Sequence, residues 1–507
     1  MGFEAVTGQP FRPSPHLSKS RFIAGTQCSL RLWNDVYRRD LATSWSDTQQ
    51  AIFDRGTAIG ELAQQRYPGG TLVGFKHWER SEAIAETNRL LADPSVPAIY
   101  EAALEHEGVF VRVDVLARNG YGWDLIEVKA STRPEKEVFK RDAAIQYWVA
   151  TGAGLKIYQA GILVLDTNYV YEGGPYDLEQ LFRLGDATEF CQEGLEATEA
   201  AVAEFHQMLA ADKPPAIQIG NHCFTPYDCP YYGACTAGME FHDHPISDLY
   251  RLNGARREQL EMQAIESILD IPEDFDLTPM QDRIRQAVLS GRPWQSPGLG
   301  KTLQEPDWPL HYLDFEAWQP ALPPYPGMRP FQAIPFLFSA HMEDSEGRLT
   351  HSEYLHDQPT DPRRPLAEAL LEALGTTGSI VVYSGYERRM INTLADQLPD
   401  LRNALMALND RLWDLLPVIR EHYYHPDFRG SFSIKAVLPA LVKGQHWSDL
   451  AIADGMSAAV AYESALADDD LENRGQVFAD LRTYCAQDTR AMVDLLRELK
   501  ERAVNGP

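Results

Sequence analysis

The first residues whose types and spacing can do chemistry are Asp114, Glu127 and Lys129. Asp114 stands in VFVRVDVLA, and the other two stand in WDLIEVKA. Both stretches alternate apolar and polar residues, and RNGYG lies between them, so the pattern predicts a β-hairpin. Side chains alternate along a strand, so Glu127 and Lys129 share a face while Ile126 and Val128 point into the core. Two carboxylates and an ammonium on one face suit phosphodiester hydrolysis assisted by Mg²⁺ or Mn²⁺. The carboxylates hold a hard cation, the cation polarises the phosphate and activates water, and the lysine meets the developing charge. A helix over 134–151 follows and carries Gln146. Arg133, Lys136, Lys140 and Arg141 form a basic stripe beside it. The competing reading is a solvated strand face with a surface ion pair.

A second acidic set lies downstream. Asp314 and Glu316 are two apart in HYLDFEAW, on one face of a predicted strand. Tyr484 and Asp488 are four apart on a helix predicted near 476–502, so they also share a face. Between them, VYSGYERR places Glu387 at a strand-to-helix junction, with Ser384 just before it. Asp414 in RLWDLL is the alternative fourth acid. Arg388, Arg389, Arg482, Arg490 and Lys435 are read either as phosphate contacts or as ordinary helix charge.

Cys223, Cys229 and Cys235 form C-x5-C-x5-C in HCFTPYDCPYYGACT, and Cys28 lies far upstream in TQCSLRLW. In a reduced compartment such a group reads as a metal site rather than as disulfides. Four thiolates suit an iron–sulfur cluster. Zinc, with His222, His242 or His244 as further ligands, is the alternative. Cys191 and Cys485 read as core cysteines.

RVDVLA, LIEVKAS and DAAIQYW resemble the RecB-like branch of the PD-(D/E)XK nuclease superfamily. The resemblance implies Asp114 and Glu127 as metal ligands, Lys129 as catalytic and Gln146 as an organiser of the site. Two positions depart from that pattern: Gly60 stands where the branch often has His, and Ala150 where it often has Tyr. Glu61 or Glu101 is the expected substitute. One N-terminal cysteine plus three after the core resembles the iron–sulfur nucleases of the CRISPR-adaptation and AddB type, which implies a 4Fe–4S cluster on Cys28, Cys223, Cys229 and Cys235. The pair DFE with YCAQDT resembles the DEDDy exonucleases of the DnaQ-like, RNase H-like fold. That implies Asp314, Glu316, Glu387 and Asp488 as ligands of two ions, and Tyr484 as the group that positions water. HPDFRGSFSIKAVLPALV and WQPALPPYPGMRPFQAIPFLFSAHM resemble a bacterial family that joins the two kinds of domain.

These residues need elements to hold them. Helices are expected over 18–66, 81–92 and 188–210, and LKIYQAGILVLD reads as a further strand. Residues 241–290 read as mostly helical, and GRPWQSPGLGKTLQEPDWP as a linker. Beyond it, FQAIPFLFSAHM reads as a strand pair, SIVVYS as a strand and YERRMINTLADQL as a helix. The expected organisation is α/β: a PD-(D/E)XK domain with its cysteine site over 1–240, a helical connector over 241–305, and an RNase H-like domain over 306–507.

Formal net charge is 46 − 73 = −27. That argues against a protein that coats nucleic acid, because phosphate neutralisation needs basic surface. It leaves room for metal-dependent nucleases, which gather carboxylates around cations. No run of about 18 apolar residues suggests a membrane span. MGFEAVTGQPFRPSPHLSKSRF has neither an apolar signal core nor a myristoylation pattern, so a cytoplasmic protein is expected. The expected function is hydrolysis of DNA ends or single strands at two sites, in a setting such as repair or defence against foreign DNA. The alternatives are a nucleic-acid-binding scaffold with one or both sites inactive, and an exonuclease directed at RNA.

Overall fold

A computed structural model describes residues 16–240, 242–444, 447 and 450–506. The reading of the N-terminal segment falls mainly on residues 1–15, outside that range. The chain divides into two compact units, one comprising Met1–Met239 with Ala321–Phe331, the other Glu240–Pro320 with Gln332–Pro507. Both mix helices with sheets. Among the described residues no helix is long and apolar enough to cross a membrane.

The first unit is built on seven strands: β1 (Leu17–Ser18), β2 (Thr71–Leu72), β3 (Ala98–His106), β4 (Val109–Asn119), β5 (Gly122–Val128), β6 (Ile157–Leu165) and β7 (Phe182–Asp186). They run in the order β2-β3-β4-β5-β6-β7, and β1 adds to β4. The predicted hairpin is β4–β5, in antiparallel register with Val115 opposite Ile126. A further strand, β3, extends it on the other side. β5 and β6 are parallel, so the chain must cross over between them, and helix Glu137–Gly152 makes that crossover.

Both faces of this sheet are covered. Leu125 and Ile162 pack with the helix that carries Ile145 and Val149. Ile126 and Leu163 pack on the opposite face with Ile59 and Ala63, from helix Asp47–Gln64, whose start is a Ser46/Gln49 capping box. β5 is therefore a central strand with no solvent face. The competing reading of Glu127 on a solvated strand face does not hold: Glu127 is 1% exposed.

The helical reading of 18–66 is also refined. Helices Lys19–Gln27 and Ser29–Tyr37 are separated by Cys28 in extended conformation, and residues 42–46 separate them from the next helix.

The second unit carries β8 (Trp294–Gln295), β9 (Leu310–Trp318), β10 (Ile334–Glu343), β11 (Leu349–Leu355), β12 (Ser379–Val382), β13 (Leu412–Asp414) and β14 (Tyr423–Tyr424). Its main sheet has the order β11-β10-β9-β12-β13. The β11/β10 and β10/β9 pairs are antiparallel, while β9/β12 and β12/β13 are parallel. Helix Leu471–Asn505, capped by Asp470, packs along β9 and β10.

Three expectations change here. FQAIPFLFSAHM is one strand, and its hairpin partner is β11. GRPWQSPGLGKTLQEPDWP is no linker between compact bodies, because it contributes β8, paired with β14, within the second unit. The stretch 241–305 likewise belongs to that unit. Conversely, residues 321–331 pack with the first unit: Tyr171 N–H donates to Met328 O at 2.8 Å, and Ala321 joins the Ile126 cluster.

Candidate active sites

In the first unit, β5 delivers Glu127, the residue after β5 is Lys129, and the crossover helix supplies Gln146. Glu127 Oε1 accepts from Lys129 Nζ at 2.8 Å, and Oε2 accepts from Gln146 Nε2 at 2.5 Å. Lys129 also pairs with Asp142, one turn before Gln146 on the same helix. Asp114 Oδ2 accepts from Val128 N–H at 2.7 Å. The four expected residues therefore form one connected group.

Lys19 joins that group from the start of helix Lys19–Gln27. Its ammonium donates to Glu127 Oε1 at 2.8 Å and to Oε2 at 3.0 Å. Each Glu127 oxygen then carries two donors, which saturates its lone pairs. Burial works against the charge on Lys19, but Glu127 and Asp114 more than offset it and hold the ammonium protonated. Burial would also raise Glu127, yet Lys129 and Lys19 bring it down to about 2. Asp114, buried and facing the charge of Glu127, is pushed up to about 7.

A divalent cation does not fit Glu127 as it stands, because Lys19 and Lys129 already neutralise it. Lys19 and Asp142 were invisible in the sequence. Lys19 lies 108 residues from Glu127, and no local pattern marks it.

Of the proposed substitutes, Glu101 lies within electrostatic reach of Asp114 and Glu127, at a left-handed φ of 54° where β3 loses its regular pairing. Glu61 is exposed on its helix, and Ala150 is buried in the core. In the basic stripe, Arg141 is paired with Glu137, and Lys136 and Lys140 lie over Phe139 and Phe190.

Cys28 and Cys223 lie within electrostatic reach of both Cys229 and Cys235, and burial with those neighbours keeps these two thiols above the ordinary range. The four are not among the groups whose ligand atoms lie within 4.8 Å of one another among the described residues. All are free. Ties on either side fix the loop against the N-terminal helices: Gln27 Nε2 donates to His222 O and Tyr227 O, both at 2.6 Å, and Tyr231 OH donates to Asp35 at 2.6 Å. Of the alternative zinc ligands, His222 Nε2 is 3.7 Å from Cys223 Sγ. His242 bonds Glu266 and His244 meets Arg429, both within the second unit.

In the second unit, β9 presents Asp314 and Glu316, the helix after β12 presents Glu387, and the long C-terminal helix presents Tyr484 and Asp488. Glu387 faces Asp314, and Tyr484 lies beside Asp488 on the same helix face. Glu316 and Glu387 are 6% and 3% exposed. Burial pushes Glu316 and Glu387 up to about 8, with the charge of Asp488 adding to it at Glu316 and that of Asp414 at Glu387, and burial pushes Asp488 up to about 6. Asp314, faced by Asp488, Glu316 and Glu387 as well as by apolar surroundings, lies well above the carboxylate range.

Glu387 Oε2 is buried without a hydrogen-bond partner. Crowded carboxylates with an orphaned oxygen are the donor set that hard divalent cations take, so the residues fit such ions. Of the two fourth-acid candidates, Glu387 meets Asp314, whereas Asp414 caps helix Leu415–His422 through Leu416 N–H at 3.0 Å.

Three further residues complete this site. Trp447 Nε1 donates to Asp488 Oδ1 at 2.7 Å. Lys435 Nζ donates to Tyr484 OH at 3.1 Å, so the lysine after the GS turn belongs here. Cys485 is no ordinary core cysteine. Its thiol lies 3.6 Å from Asp314 Oδ2, and with Asp314 and Glu316 it offers ligand atoms within 4.8 Å of one another. The arginines proposed as phosphate contacts are mostly engaged: Arg388 bonds Asn409 O, Arg482 pairs with Glu353, Arg490 pairs with Asp494, and Arg389 lies over Tyr386.

Residues 311–433 match the model of a domain of unknown function, DUF2779. The match spans Asp314, Glu316 and Glu387 and ends before Lys435, Tyr484 and Asp488. No curated protein matches the chain.

Proposed function

We propose that the protein is a metal-dependent nuclease whose principal site is the Asp314–Glu316–Glu387–Asp488 cluster, acting as a 3′→5′ exonuclease on DNA ends or single strands. The observation that carries this reading is the crowding of Glu316, Glu387 and Asp488 against buried Asp314, in a cluster where one Glu387 oxygen has no hydrogen-bond partner. Repulsion of this size costs stability unless cations offset it. When bound, two divalent ions would polarise the phosphodiester and stabilise its attacking and leaving oxygens.

The protein's own groups do the rest. Asp314, Glu316, Glu387 and Asp488 hold the charge. Tyr484, held by Lys435 and facing Asp488, orients water with its hydroxyl. Lys435 places a positive charge beside the same hydroxyl. The β11-β10-β9-β12-β13 order, antiparallel on one side and parallel on the other, supports an RNase H-like fold for this unit.

For the first unit the reading is a RecB-like PD-(D/E)XK nuclease with a 4Fe–4S cluster on Cys28, Cys223, Cys229 and Cys235, zinc being the alternative. The β4–β5 hairpin and the crossover helix support it, as does the electrostatic reach of Cys28 and Cys223 to Cys229 and Cys235. The saturation of Glu127 favours a second reading of this site, as a nucleic-acid-binding surface without hydrolytic activity.

Cleavage of end-labelled single-stranded DNA, duplex DNA and RNA in Mg²⁺ or Mn²⁺ tests both readings. Asp488→Ala is expected to abolish stepwise 3′→5′ shortening. If neither Asp488→Ala nor Asp114→Ala alters any cleavage, the two-site proposal fails. Preference for RNA over DNA would reassign the substrate.

A further inference from the structure

A cavity of about 650 Å³ lies in the second unit, lined by Ser247, residues 249–251, Tyr383, Ser384, Leu416, Arg420 and residues 429–434. That is the size of a small-ligand pocket. Its lining residues include arginines, serines and aromatics but no carboxylate, although the chain carries a net charge of −27. The distinctive RGS turn helps build it. Gly430 has φ +75°, and a Cβ there would lie 2.1 Å from Asp248 O, so only glycine lets this turn close on the 247–251 segment.

Among the lining arginines, Arg429 is engaged by Asp243 at 3.0 Å. The side chains of Arg251 and Arg420 donate no hydrogen bond among the described residues, although Arg420 acts at a distance on Asp414. Arg251 is exposed, and Arg420 Nε is buried without a partner. Both guanidinium groups lie against Tyr250, at 5.1 and 5.6 Å from its ring, and Arg420 is 5.9 Å from the Phe432 ring. Tyr250 and Phe432 meet edge to face at 5.2 Å. Unspent planar guanidinium groups beside aromatic rings are the chemistry that receives a phosphate and its flanking base.

Both walls of the cavity run on toward the carboxylate cluster. Ser384 precedes Glu387 by three residues and bonds Tyr386 N–H. Ser433 caps the helix that carries Lys435, whose ammonium reaches Tyr484.

We infer that this cavity is a subsite for single-stranded nucleic acid, with Arg251 and Arg420 on a backbone phosphate and the adjoining nucleotide against Tyr250 and Phe432. The inference rests on the nuclease reading only in naming a strand as the ligand.

The test uses the full chain carrying Asp488→Ala, in EDTA, with a fluorescently labelled oligothymidylate followed by anisotropy across a salt series. Adding Arg251→Ala, at an exposed position that folding tolerates, is expected to weaken binding about tenfold and to reduce the salt slope by about 0.7. Arg420→Lys keeps the charge but loses the planar fork, so affinity falls while the slope stays. Binding unchanged in both variants overturns the subsite. Thymidine monophosphate binding as tightly as the oligonucleotide overturns the strand assignment in favour of a free nucleotide. Failure of the nuclease reading is seen separately: the unaltered protein in Mn²⁺ then leaves the same oligonucleotide uncut, whatever the arginine variants do to binding.

Discussion

Glu127 and Glu387 show how differently two buried carboxylates can be handled. Glu127 accepts donors on every lone pair, from Lys19, Lys129 and Gln146, whereas Glu387 keeps one oxygen without any. A cation reaching Glu127 must displace the Lys19 ammonium. Lys19→Met is therefore expected to add or tighten one class of Mn²⁺ sites in calorimetric titration, and Asp114→Asn in that background is expected to remove it. Identical titrations for Lys19→Met and the unaltered protein would show that Lys19 does not guard the site. At the other cluster, Glu387→Gln removes a metal-binding oxygen and should lower exonuclease activity by at least about 100-fold, since even outer partners of metal ligands cost 10–100-fold. Asp414→Ala removes a helix cap instead. It should cost about 1 kcal/mol of stability with far less loss of rate. Equal losses of rate in the two variants would place Asp414 among the ligands.

The elements explain why some of this could be read from sequence and some could not. Local periodicity marks β4, β5, the crossover helix and the long C-terminal helix, so Asp114, Glu127, Gln146, Tyr484 and Asp488 were placed by short-range rules. Lys19, Trp447 and Cys485 reach their sites only through tertiary packing, which periodicity does not encode. The burial of β5 lies beyond periodicity for a related reason: alternation shows that a strand has two kinds of face, but only the helix Asp47–Gln64 and the crossover helix together cover both. The linker reading of 291–309 failed because its proline- and glycine-rich composition looks the same in a free linker and in an edge pair such as β8–β14. The cysteine loop makes a prediction at this scale. Cys28 sits between the first two helices, and Gln27 beside it holds His222 O and Tyr227 O. Cys28→Ser should bleach the visible colour of an iron–sulfur cluster and lower the melting temperature, by a loss carried in the first unit. A colourless native protein with stoichiometric zinc would assign the thiols to zinc instead. Lys19 lies on the helix that ends at Gln27, so the same substitution should also loosen its grip on Glu127, seen as tighter Mn²⁺ binding there.

For the molecule as a whole, the raised carboxylates link stability to pH and to divalent ions. Glu316 and Glu387 stand at about 8 in the folded state, against about 4.3 for an unperturbed glutamate. Between those values the folded state binds more protons than the unfolded one, so unfolding free energy falls as pH rises. Their favourable contribution is complete below about pH 4.3 and is lost as pH climbs through about 8. Asp488, at about 6, adds to the loss at lower pH. Glu127 works the other way, because its folded value near 2 lies below the unfolded one, and its contribution is lost only in strong acid. In EDTA, the melting temperature of the intact chain is therefore expected to decline from pH 5 to pH 8, within the window those values define. Saturating Mn²⁺ should flatten the decline, since a bound cation offsets the charge that protons otherwise remove. Asp314→Asn with Glu387→Gln should make it shallower without metal, because two of the repelling charges are gone, leaving the part that Asp114, at about 7, and the remaining acids carry. A melting temperature that stays level across this range in EDTA, or that Mn²⁺ leaves unchanged, would mean that the four carboxylates are not held as a strained, cation-seeking cluster, and the assignment of the principal site would fall with it.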